Sequence, residues 1–337
     1  MTPPRGSDFL PPRVLRNGHL QTMLSSSGMR RLWQRSHARA AVHDGAEAVT
    51  FTLSDGVRLS GAVTRQKVRQ KARGLLILFH GWEGSIDSTY VLQTGARMLA
   101  DGWDIFRLNF RDHGATHHLN TELFHSCLID EVVEATAEAT LRYLPYEGAP
   151  LGLVGFSLGG SFALRVALRA PGAGIPLSKT VVVCPIIDPH AGLRSLETAI
   201  WIYEWYFMHK WRGSLKRKAQ VHPQHRYFEP RDLRHNMREL TRVLVERHTD
   251  FGSLDAYLDG YSVGVDRLAQ MQVPTTILTS EDDPVIPVAD FHDLNLSEAV
   301  ELDISRYGGH CGYIQDWRMN VFTDDYIAAR LNACAQD

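Results

Sequence analysis

Short, uninterrupted apolar runs recur along the chain: Gly74–Phe79 (GLLILF), Gly102–Leu108, Leu151–Phe156 (LGLVGF), Thr180–Ile187 (TVVVCPII), Val273–Thr279 and Val300–Ser305. Runs of this length without polar alternation suit strands buried on both faces of a parallel sheet. Between them, Tyr90–Ala100, Leu128–Leu144 and the stretch after Ser157 carry apolar residues at helical spacing, and a closing helix is expected from about Met319 to Asn332. Strands alternating with helices predict an α/β domain whose mostly parallel central sheet is flanked by helices on both faces. Ahead of this alternation, VTFTLSDGVRLSGAVTR switches between apolar and polar residues on either side of Ser54-Asp55-Gly56, which predicts a β-hairpin.

Two segments break the pattern. Residues 1–45 are rich in proline, arginine and polar residues without a sustained period, and are expected to form an arm packed on the main domain of residues 46–337. Residues 189 to about 262 are mostly helical in character and interrupt the alternation where a cap would be inserted. Trp201, Tyr203, Trp205, Tyr206, Phe207, Met208 and Trp211 crowd one window there, followed by Lys210, Arg212, Lys216, Arg217 and Lys218. Aromatic residues beside cations can stack on nucleic-acid bases, but within an α/β domain a helical lid over an apolar pocket is the better account.

Composition narrows the classes. Hydrophobic residues make up 44% and charged residues 22%, with a formal net charge of −2, which suits a packed core and gives no electrostatic footprint for nucleic acid. The scattered Cys127, Cys184, Cys311 and Cys334 form no C-x-x-C pair, so neither a disulfide framework nor a zinc ribbon is expected. No apolar stretch approaches a membrane span and the N-terminus lacks a secretory core, so a cytoplasmic protein without stable membrane insertion is expected. Arg30, Arg31, Arg35 and Arg39 leave peripheral lipid contact open, although a solvated basic arm is the simpler reading. Nothing in the chain fixes the oligomeric state.

The chemistry starts at Gly155-Phe156-Ser157-Leu158-Gly159, a G-x-S-x-G turn between an apolar strand and a helix. In such an elbow the serine hydroxyl is lifted above the sheet at a helix N-terminus, where developing negative charge is favoured. A serine hydroxyl needs a base within reach and a third group to orient that base. His310, between Gly308-Gly309 and Gly312 just past the last strand, is the candidate base, and Asp283 before Pro284 is the favoured acid, with Asp282 and Asp188 as alternatives. Asp188 is better placed to cap the first helix of the insertion. His80-Gly81-Trp82-Glu83-Gly84 at the end of the first buried strand has the form of an oxyanion loop, so the backbone N–H groups of Trp82 and Leu158 are the candidate donors. No metal or organic cofactor is called for, and the histidines of the insertion, His222 and His225 among them, lack metal-ligand spacing.

Asn17-Gly18-His19-Leu20-Gln21-Thr22, His80-Gly81-Trp82-Glu83-Gly84, Asn109-Phe110-Arg111, the elbow with Gly160, Asp282-Asp283-Pro284 and Gly309-His310-Cys311-Gly312 together resemble the YheT-like branch of the α/β-hydrolase superfamily, which is related to the membrane-anchored ABHD lipases of animals. The resemblance covers nearly the whole chain, and N-G-H-x-Q-T is its specific part. It implies an α/β-hydrolase fold and a serine esterase or lipase-like acyl hydrolase with its triad on Ser157, Asp283 and His310. In one place the chain departs from the pattern: after Asn109-Phe110-Arg111 the family usually has glycine, and here Asp112 follows. The expected substrate is a small-molecule carboxylic ester with an apolar acyl group. The alternatives are an acyltransferase or thioesterase using the same triad, or a non-catalytic ligand-binding member of the fold.

Overall fold

The computed structural model describes residues 3–25, 37–264 and 266–335. Arg30, Arg31 and Arg35 therefore lie outside the described residues. Among the described residues, eight strands form one sheet in the order β1-β2-β4-β3-β5-β6-β7-β8. They are β1 (Glu47–Thr52), β2 (Arg58–Thr64), β3 (Leu75–Phe79), β4 (Asp104–Leu108), β5 (Leu151–Phe156), β6 (Leu177–Val183), β7 (Thr275–Ser280) and β8 (Val300–Ser305). β2 pairs antiparallel with both β1 and β4, and every other strand pairing is parallel.

The helices that matter for the site are α1 (Gly18–Ser25), α2 (Thr89–Ala100), α3 (Ile129–Tyr143), α4 (Leu158–Arg169), α5 (Pro189–Thr198), α6 (Ile202–Val221), α7 (Met237–His248), α8 (Leu254–Tyr261) and α9 (Phe322–Asn332). Strand side chains alternate between the two faces of the sheet. Leu75, Ile77 and Phe79 accordingly pack in the layer containing α3 and α4. Leu76 and Leu78 pack in the layer containing α2 and α9. This two-sided burial is why the central strands are continuously apolar in sequence. The C-terminal ends of β3, β5, β7 and β8 lie along one edge, which carries the loops to His80, Ser157, Asp283 and His310.

Element ends differ from the sequence expectations where one residue turns the backbone. The strand expected to reach Ile187 stops at Val183, because Cys184 takes a positive φ of 47°. The last helix begins at Phe322, past Met319 with its φ of 63°. Between β6 and β7, α5 to α8 build a core of their own, in which Leu193, Met208, Trp211, Leu215, Leu240 and Leu244 are buried. Of the aromatic window, Tyr203 and Trp211 are buried, whereas Trp201 and Trp205 are exposed. Lys218, the last member of the basic run, is buried on Asp112. No helix among the described residues is long and apolar enough to cross a membrane.

Candidate active site

β5 runs into Ser157, whose backbone takes φ 54° and ψ −121° before α4 begins at Leu158. A non-glycine residue held there costs on the order of 1–3 kcal/mol, which the surrounding structure must offset. The Ser157 N–H donates to Val183 O at 2.9 Å, tying the turn to β6. The flanking glycines allow this packing. A Cβ on Gly155 would lie 2.2 Å from Gly159 O, and one on Gly159 would lie 2.3 Å from His80 O.

The loop after β8 brings His310 to this turn. His310 Nδ1 donates to Asp283 Oδ2 at 2.9 Å, because a carboxylate can only accept. In the neutral ring that leaves Nε2 as the acceptor facing Ser157 Oγ, also at 2.9 Å. Asp283 is aimed by its own loop, with Oδ1 accepting the N–H groups of Val285 at 2.8 Å and Ile286 at 3.0 Å. Burial works to lower the His310 pKa, but the Asp283 carboxylate and the Cys311 sulfur beside it outweigh burial and raise it to about 9. Asp282 turns away from the imidazole and accepts the Gly309 N–H at 2.8 Å. Asp188 accepts the His190 N–H and caps α5.

On the other side of Ser157, the loop after β3 is set by its buried histidine. His80 Nδ1 donates to Gly81 O at 2.8 Å, and Nε2 accepts the Phe110 N–H at 3.2 Å. Burial lowers its pKa to about 4, so this ring is neutral and structural. Gly81 N–H donates to Tyr90 Oη at 2.8 Å. A Cβ on Gly81 would be 3.3 Å from Ser157 Cβ, which puts Trp82 next to the serine. Among the described residues, the N–H groups of Trp82 and Leu158 donate to no protein acceptor.

Two cavities meet at Ser157. One, of ≈ 110 Å³, is apolar, with Leu193, Leu244, Leu258, Tyr261, Val285 and Ile286 in its wall. The other, of ≈ 340 Å³, is polar and includes Glu83, Ser85, Ser88, Lys210, Arg217 and His310. Trp82 and Phe207, stacked with ring centroids 5.5 Å apart, stand between them and line both.

A profile of the family described as serine aminopeptidase, S33, matches residues 70–303. The chain belongs to this family. The fold is an α/β-hydrolase fold, shared with the solved structures below. YheT of Escherichia coli (strain K12), named as an esterase, is 26% identical over 330 residues, spanning 91% of this chain and 87% of YheT. The Pyrococcus furiosus esterase Pf2001 shares the fold with a TM-score of 0.56 at 16% identity, covering 85% of this chain and 90% of that one. A bacterial membrane phospholipase A superposes with a TM-score of 0.54 at 15% identity, covering 94% and 93%.

The supports of the histidine loop come from segments far away in the chain. Thr22 Oγ1 accepts the His310 N–H at 2.8 Å. Gln21 Nε2 donates to Ile314 O at 3.0 Å while Oε1 accepts Ile314 N–H at 2.7 Å. Gly18 is required by the close approach of the arm, since a Cβ there would fall 1.9 Å from Asp282 O. N-G-H-x-Q-T was therefore visible as a motif, but its partners lie almost 300 positions away. Cys184 Sγ, Cys311 Sγ and a ring nitrogen of His310 lie within 4.8 Å of one another, a soft-donor grouping. Both ring nitrogens of His310 are already engaged, so the grouping is not a ligand set while the hydrogen-bonded chain is intact.

Proposed function

We propose that the protein is a serine hydrolase that cleaves carboxylic esters through an acyl-enzyme on Ser157. The observation that carries this reading is the Asp283–His310–Ser157 hydrogen-bonded chain at the junction of an apolar and a polar cavity. His310 Nε2 takes the hydroxyl proton as Ser157 Oγ attacks the carbonyl carbon, and Asp283 holds the imidazole in the required tautomer. The oxyanion is bound by the N–H groups of Trp82 and Leu158, with the N-terminus of α4 behind them. His310 then protonates the departing alcohol, and a water activated at the same nitrogen releases the acid. The apolar cavity takes the acyl group, with the helical insertion of residues 189–262 acting as its lid.

The test is turnover of p-nitrophenyl acyl esters and labelling by a fluorophosphonate. Wild type should do both, and Ser157→Ala should lose both while keeping its thermal midpoint. Turnover by Ser157→Ala at the wild-type rate would overturn the assignment.

A further inference from the structure

Resting on the esterase reading, we propose that the polar cavity is an anion-binding subsite in which Lys210 and Arg217 of α6 receive a phosphate or carboxylate carried by the alcohol part of the ester. The two chambers at Ser157 are chemically opposite, and the apolar one suits the acyl chain. The leaving alcohol is thereby assigned to the chamber of ≈ 340 Å³, large enough for a small polyol and an anionic group.

The charges on that wall do not cancel. Lys210 and Arg217 stand two helical turns apart on α6, and both line the chamber. Lys210 Nζ donates to the backbone O of Glu83 at 3.1 Å and sits 5.1 Å from the Tyr206 ring. Among the described residues, neither cation has a carboxylate within ion-pair distance. The acids of the same wall are otherwise occupied. Asp112 is held by Lys218 at 2.6 Å, and Asp87 by His43 at 2.9 Å with Arg107 at 3.6 Å. Glu83 is the acid that Lys210 and Arg217 feel at longer range, but burial outweighs their pull and pushes it up to about 7, so near neutrality it offsets them only in part. Tyr90, Tyr206, His310 and Cys311 complete the titratable groups of the chamber, and Ser88, the N-cap of α2, lines it together with Thr89 and Tyr90 of the first turn. A cationic wall beside the nucleophile is matched by an anionic leaving group, whose charge meets cations that hold no carboxylate at ion-pair distance.

In the proposed step, Ser157 Oγ bonds to the acyl carbon while the carbon–oxygen bond to the anionic alcohol breaks. The proton that His310 took from Ser157 goes to the departing oxygen, so the alcohol leaves with only its own phosphate or carboxylate charge.

The experiment compares three esters of one acyl chain, with glycerol, glycerol 3-phosphate and glycerate as the alcohol. Wild type should favour at least one anionic ester in kcat/KM, mainly through KM, and the preference should shrink with added salt. Lys210→Gln and Arg217→Gln should each lower the anionic-to-neutral ratio by about tenfold, the worth of one charge-assisted hydrogen bond. Lys216→Gln, on the same helix but outside the chamber, should leave the ratio unchanged. Equal kcat/KM for neutral and anionic esters in wild type, or a preference surviving in the Lys210→Gln/Arg217→Gln double variant, overturns the subsite. If wild type cleaves neither these three nor the p-nitrophenyl acyl esters, the esterase reading fails separately. Calorimetric titration with glycerol 3-phosphate and glycerate then decides the subsite: binding by wild type and not by the double variant supports it, and absence of binding by wild type overturns it.

Discussion

At the scale of single residues, the protonation of His310 sets a testable pH dependence. The imidazole must be neutral to accept the Ser157 proton, and its pKa is raised to about 9. Burial opposes this rise, while Asp283 and Cys311 drive it. The Cys311 thiol is itself held low, first by its hydrogen bond with Cys184 and also by His310. The ascending limb of kcat/KM should therefore lie well above 6.5, towards 9, and Cys311→Ser should move it to lower pH. A wild-type limb near 6.5 would contradict this. Stability should run the other way. A group whose pKa is raised on folding stabilises fully below its unfolded value and loses that contribution as pH rises through the folded value. The thermal midpoint should thus fall between pH 6.5 and 9 as His310 loses its proton. None of this was legible from G-G-H-C-G alone, because Cys184 lies 127 positions from Cys311.

At the scale of elements, Asp112 joins the sheet edge to the helical insertion. Its φ of 57° explains why glycine suits this position, and aspartate tolerates the left-handed region better than most residues. The carboxylate also has a task there: Oδ1 accepts from Lys218 Nζ of α6 at 2.6 Å, and Oδ2 accepts the Phe124 N–H at 3.0 Å. Lys218 donates further to Asn120 O at 2.8 Å and Glu122 O at 2.9 Å, so a buried ammonium has all three protons placed. Lys218→Met should leave Asp112 buried and unpaired, lowering the unfolding free energy by about 3–5 kcal/mol. Adding Asp112→Gly to it should restore most of that loss, because the orphaned charge goes and glycine fits the backbone. Urea unfolding of the two single variants and the pair measures the coupling, and strictly additive losses would show that the pair is not a unit. The departure from glycine could be read in the sequence. Its compensation could not, since Lys218 looks like any other member of a basic run and its partner is 106 positions away.

At the scale of the whole molecule, the N-terminal arm acts as a fastening for the histidine loop and the insertion together. Gln21 is fully buried, and its amide spans Leu15 O and both backbone groups of Ile314. His19 Nδ1 lies 2.9 Å from Tyr203 Oη on α6. Gln21→Ala should leave buried backbone groups unpaired, costing about 1–3 kcal/mol. It should also loosen His310, so that kcat falls more than KM changes; a variant with wild-type kcat and a lowered thermal midpoint would limit the arm to a purely structural role. The sequence by itself determined the sheet, the elbow and the order of the candidate triad. Strand burial and the strand-turn-helix at Ser157 are written in contiguous residues, and local sterics need no distant partner. Only the tertiary structure decided which aspartate faces His310, what Asp112 compensates, and where the arm attaches. Those depend on contacts between segments far apart in the chain, which no local pattern of apolar and polar positions encodes.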